Sequence, residues 1–164
     1  MATSLLYTVI QTGNTVSWRN TGGDELFTPT SLGSGAGRQG ALHDFTTAAV
    51  GRTFEFRGWI KPGATRVEKE AVAMILKSSD GTHADNDDGT GDIAVSNINK
   101  LLNVRRIGQI LIDENAAVEM VFSRIITLGH RHAGPIFWNY TANTLSTTAT
   151  DYGVDMTPVV LEAQ

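Results

Sequence analysis

Apolar and polar positions alternate with a period of two along much of the chain. Between residues 53 and 60, Phe54, Phe56, Gly58 and Ile60 alternate with Glu55, Arg57 and Trp59, which puts the first set on one face of a strand. Lys61-Pro62-Gly63 ends that strand. Similar patterns, bounded by Gly, Asn or Asp, predict strands over 107–112, 118–128, 133–140 and 153–160. In the second of these, Val118, Met120, Phe122, Ile126 and Leu128 share a face interrupted only by Arg124. Residues 68–78 are ambiguous, because their Ala, Glu, Lys, Met and Leu are good helix formers. Val72, Met74 and Leu76 nevertheless alternate and both flanks read as strands, so the expectation is a strand in which context overrides propensity.

Toward the start of the chain the pattern thins. Residues 4–10 and 15–18 read as strands joined through Thr12-Gly13-Asn14, as a short hairpin or as an extended arm. Residues 21–40 are turn-rich, with Gly22-Gly23, Pro29 and the run from Ser31 to Gly40, and read as a loop laid on a surface. Apolar residues are sparse after Ile10 in the first forty positions, which places the expected core in 41–164. Residues 79–92 read as a long polar loop, 98–102 as a short helical turn or an edge piece, and Pro158 fits an edge strand. Short strands without alternating helices predict an all-β sandwich or barrel. The expected division is an N-terminal arm or hairpin with a Gly-rich loop over 1–40 and a β-sandwich over 41–164.

Composition narrows the function classes. At 164 residues the chain fits one domain that needs no metal or disulfide staple. The absence of cysteine excludes disulfides, thiolate catalysis and zinc sites built on Cys. A net charge of −4 argues against a nucleic-acid partner, which requires a basic face to release phosphate counterions. No run of about 18 apolar residues suggests a membrane span, and Met1–Leu6 lacks the basic start and apolar stretch of a signal peptide, so a soluble, unprocessed chain is expected. Only 18% of residues are charged, below the roughly 25% usual for globular domains, so much of the exterior is expected to lie against something else.

The chemical motifs each lack a partner. Gly35-Ala36-Gly37-Arg38-Gln39-Gly40 matches the spacing of a dinucleotide-binding turn, but neither a preceding strand nor a following helix is predicted, so it reads as a Gly-rich loop. Asp80, Asp85, Asp87, Asp88 and Asp92 supply oxygens for calcium, yet an EF-hand register centred on Gly89 puts Ala84 first and Val95 last, and one on Gly91 ends at Asn97. His130-Arg131-His132 has the spacing of the paired imidazoles in metal-binding double-stranded β-helices, without the carboxylate such a site wants a few residues on. His43 has Asp44 beside it but no nucleophile motif, and His83 falls in the polar loop. Trp18, Trp59, Trp138 and Tyr140 are candidates for a sugar-stacking platform, although parity with Ile136 favours burial of the last two. No catalytic, metal or cofactor-binding residues are therefore assigned, and a non-enzymatic role is expected. A carbohydrate-binding module for host or glycan adhesion is the alternative function.

The order of several segments resembles the jelly-roll cement, or decoration, proteins of tailed-phage heads. They are Ser31–Gln39, Phe54–Ile60, Ala71–Leu76 with Ser78–Thr82, Ile107–Ile110, His132–Asn139, Ala142–Leu145 and Val154–Pro158. The resemblance covers most of residues 31–164. It implies a jelly-roll-like β-sandwich of two antiparallel, four-stranded sheets that binds the outer surface of the assembled major capsid protein in a bacteriophage virion and stabilises the head. It also implies a symmetric homo-oligomer, with no nucleic acid and no membrane as partner. Within it, Arg38 and Gln39 are the candidate capsid contacts, since a lone arginine in a Gly-rich loop can order its surroundings through several hydrogen bonds. Arg38 can equally pin the loop to its own sandwich.

Overall fold

A computed structural model describes residues 6–10, 12–45, 52–62, 70–80, 82, 84–85, 89–95, 97–112 and 118–163. The strands among them are β1 (Leu6–Ile10), β2 (Val16–Arg19), β3 (Glu25–Leu26), β4 (Gly37–Gln39), β5 (His43–Asp44), β6 (Thr53–Ile60), β7 (Glu70–Ser79), β8 (Ile93–Val95), β9 (Arg105–Ile112), β10 (Met120–Thr127), β11 (His132–Asn139) and β12 (Tyr152–Ala163). They form two sheets. The first runs β10-β6-β12-β2-β3 with β1 also on β12, and the second runs β8-β4-β11-β7-β9 with β5 also on β11. All these pairings are antiparallel except the short β2–β3 pair.

Nesting of the pairs defines the architecture. β1 and β2 follow one another along β12, with Ile10 opposite Val159 and Val16 opposite Met156. β4 and β5 follow one another along β11. Counting each of these couples as one strand leaves eight principal strands: β1/β2, β4/β5, β6, β7, β9, β10, β11 and β12. The first pairs with the last, the second with the seventh, the third with the sixth and the fourth with the fifth. A ribbon of nested hairpins rolled into two facing sheets is a jelly roll, so the chain is a jelly-roll-like β-sandwich.

Of the two arrangements expected near the start of the chain, a short hairpin or an extended arm, the described residues do not form the hairpin. β1 and β2 are both antiparallel to β12, hence run the same way, and a 3-10 turn over Thr12–Asn14 carries the chain onward between them. Thr15 fastens this turn through Oγ1, which donates to Thr12 O at 2.9 Å, and the same hydroxyl lies 2.9 Å from Thr157 Oγ1 on β12. The core also differs from the expectation, since Trp18, Phe27 and Leu32 are buried in it. Aromatic residues are large enough for a few to fill a core where the local apolar density is low.

The principal core lies between the sheets. Phe54, Phe56, Ile60, Val154 and Met156 of the first sheet pack against Val72, Met74, Leu76 and Phe137 of the second. A smaller cluster of Ala73, Ile75, Val95, Ile136 and Trp138 occupies the outer face of the second sheet. A 3-10 turn over Ile98–Asn103, started by Asn97 accepting from Asn99 N, covers it with Leu101 and Val104 packed nearby. These two clusters explain β7, which is a strand as expected despite its helix-forming residues. Val72, Met74 and Leu76 enter one cluster and Ala73 and Ile75 the other, and the strand is paired on both edges by β11 and β9. Burial on both faces produces a near-continuous apolar run in place of clean alternation.

Candidate functional site

Arg38 and Gln39 lie on β4, inside the second sheet between β8 and β11. Gln39 is fully buried, which removes it from the candidate surface contacts. Its Nε2 donates to Gly89 O at 3.1 Å and Gly91 O at 2.9 Å, while its Oε1 accepts from Lys77 Nζ at 3.1 Å. Lys77 is fully buried too, and its ammonium also donates to Gly89 O. A buried charge is costly unless hydrogen-bonded, and Gly89 O and Gln39 Oε1 are two acceptors that offset that cost at Lys77.

Arg38 grips Asp92 in a fork: Nε donates to Oδ1 at 2.9 Å and Nη2 to Oδ2 at 2.6 Å. Thr28 adds its backbone N–H to Oδ1 at 3.1 Å and its hydroxyl to Oδ2 at 2.5 Å. The Asp92 side chain is only 2% exposed. Burial pushes its carboxyl upward, but the hydrogen bonds from Arg38 and Thr28, with the Arg38 charge, outweigh that and hold it below the usual carboxylate value. Residues 89–92 are therefore latched to the second sheet from both faces, Gly89 and Gly91 by Lys77 and Gln39 on the outer face and Asp92 by Arg38, which shares the face of Phe137. Lys77 was detectable as the lone cation continuing the Ala73, Ile75 parity, whereas nothing local marks Asp92 as the partner of an arginine 54 positions away.

Three of the four imidazoles, His43, His130 and His132, are among the described residues, and His83 lies outside them. His130 is exposed, and His132 is on β11 with the parity of Ile136 and Trp138, which belong to the outer-face cluster and not to the core. The interior of the roll, where a double-stranded β-helix would hold its metal, is lined by the apolar side chains described above. No group of three or more potential ligands occurs among the described residues. Arg131 instead clasps Asp44 with hydrogen bonds of 2.8 and 2.5 Å. Leu42, Asp44, Ser79, Thr90 and His132 line a depression of about 350 Å³, in which His132 Nε2 stands 3.8 Å from Asp44 Oδ2. His43 Nδ1 lies 2.8 Å from Glu25 Oε1 and its ring meets Trp18 edge-on, which joins β5 to β3 across the sheets.

The remaining motifs are absorbed by structure. The glycine run contributes β4, where a Cβ on Gly37 would stand 2.5 Å from Trp138 Cε3, so Gly37 serves ring packing, while Gly35 serves a turn at a φ of +68°. In the acidic stretch, Asp80 Oδ1 accepts from Thr82 N, Asp85 Oδ2 accepts from Ser78 N and Oγ, and Asp92 is committed to Arg38; Asp87 and Asp88 lie outside the described residues. Trp18, Trp59 and Trp138 are buried and Tyr140 alone of the four is exposed, so the sugar-stacking platform does not form. Trp59 lies with the Arg19 guanidinium 4.2 Å from its ring centroid. A second depression, of about 450 Å³ and lined by Pro62, Thr144–Thr148 and Asp151, is bordered by Ser146, whose hydroxyl donates to Asp151 Oδ2 at 2.6 Å.

Fold and polar groups together define a jelly-roll sandwich whose most conspicuous buried charges serve to fasten its own loops. No protein-family model and no curated protein sequence matches the chain. No helix among the described residues is long and apolar enough to cross a membrane.

Proposed function

We propose that the protein is a structural component of a phage virion, a cement protein seated on the outer surface of the major capsid protein shell. The reading is supported by one conjunction: the ordered segments resembling jelly-roll cement proteins fall in a chain whose strands nest as a jelly roll. Its mechanism needs no chemistry. A protein that binds the assembled lattice better than free subunits shifts the equilibrium toward the intact shell by its binding free energy. A rigid sandwich suits that task, because little ordering entropy is lost on docking. Fastening of residues 89–92 onto the second sheet serves the same end.

Co-sedimentation tests the reading. Purified protein is expected to pellet with expanded, undecorated heads of the phage that encodes it and to ignore unassembled capsid subunits. Equal binding to both, or to neither, would reject a cement role.

A further inference from the structure

β9 and β10 are the edges of the two sheets, and they meet along one corner of the sandwich. Arginines tie that corner. Arg105 Nη1 donates to Thr127 O at 2.8 Å and Arg124 Nη1 to Ile107 O at 2.7 Å. Beside them, Arg52 Nη1 donates to Gly129 O at 3.0 Å and Arg106 Nη2 to Gln109 Oε1 at 2.7 Å, with Arg106 also 5.8 Å from the Tyr140 ring centroid.

All four arginines are exposed, and none faces a carboxylate among the described residues. Elsewhere Arg19, Arg38, Arg57 and Arg131 are paired with Asp155, Asp92, Glu119 and Asp44. On the strand next to β10, Glu55 is engaged by the Ser123 hydroxyl at 2.6 Å. A guanidinium has five N–H donors, and each of these four spends one on a neutral oxygen, so most of their capacity is unspent. Flanking the stripe are the exposed Ile125 and Val121 of β10 and Leu111 of β9.

A basic, partly apolar edge on a molecule of net charge −4 calls for a partner with local negative charge and some apolar surface. Nucleic acid fits less well, since its long array of phosphates would also meet the acidic remainder of the molecule. Strand addition is disfavoured, because Arg105 and Arg124 already occupy edge carbonyls and charged side chains block edge pairing. We infer that the β9–β10 edge docks on a carboxylate-bearing protein surface through Arg52, Arg105, Arg106 and Arg124. The identity of that surface as the capsid shell rests on the cement reading above.

The test is binding of the full chain to undecorated heads at low and raised salt, using wild type, the double reversal Arg105→Glu/Arg106→Glu, and Lys61→Glu. Lys61 lies beyond the opposite end of β6, and its reversal, with half the charge change of the double variant, serves as the control away from the stripe. Equal melting temperatures establish that all three proteins are folded. The inference expects salt-sensitive binding by wild type, weakened roughly tenfold or more by the double reversal and little by the control. Wild-type and double-reversal proteins binding alike would overturn the edge assignment and leave the cement reading standing. Failure of wild type to bind heads at low salt would overturn both. Edge-dependent binding to duplex DNA in a parallel arm would replace the protein partner by nucleic acid.

Discussion

Asp92 is the residue whose removal should be felt most clearly. It accepts four hydrogen bonds from Arg38 and Thr28 while almost fully buried, so Asp92→Asn leaves Arg38 facing a weaker partner and is expected to lower stability by about 2–4 kcal/mol in a denaturant titration. The direction of its pKa shift fixes the pH dependence. A carboxyl held below its unfolded value of about 3.9 contributes stability above that pH and loses it as pH falls through the folded value. Wild type should therefore lose more stability than Asp92→Asn on acidification below about pH 4, and parallel acid limbs would contradict the assignment. Gly37 makes a steric prediction of the opposite kind. Gly37→Ala drives a methyl into the Trp138 ring and is expected to cost about 1–3 kcal/mol, read as a lower melting temperature. Neither role was legible locally. The glycine run looked like a loop because Gly37 serves a ring about a hundred positions away, and Arg38 was legible as an ordering residue but not in what it orders.

At the scale of elements, residues 89–92 behave as part of the second sheet. Lys77→Met keeps the length of the side chain but removes the donor to Gln39 Oε1 and leaves Gly89 O with the Gln39 Nε2 bond alone, so it should cost about 1–3 kcal/mol and speed amide exchange over 89–92. Unchanged protection there would show that Lys77 is not the anchor. The three described carboxylates of this stretch already accept hydrogen bonds from protein groups, so EDTA should leave the melting temperature unchanged. A drop of several degrees would mean that the loop holds a cation. Most strands could be read from the sequence: β6 coincides with its predicted span, and β9 to β12 match theirs to within three residues at each end. β7 required the argument from context, because propensity sees a single segment and not the two clusters it separates. β1 and β2 were visible as strands, but their common partner β12 lies at the far end of the chain, so local pattern left a hairpin and an extended arm equally open.

For the whole molecule, the nested pairing has a kinetic consequence. β1/β2 with β12, and β4/β5 with β11, close loops spanning most of the chain, and the entropy of closing them is lost before their contacts form. Refolding monitored by tryptophan fluorescence is expected in milliseconds to seconds; a microsecond phase carrying the whole amplitude would be inconsistent with this topology. Function at this scale depends on what the sandwich touches. The central claim is that it covers a phage head, and the composition of purified virions tests it most directly. Quantitative mass spectrometry should find the chain at one copy per major capsid subunit, or at a simple fraction of that number. Trace amounts, or none, in intact particles would contradict it.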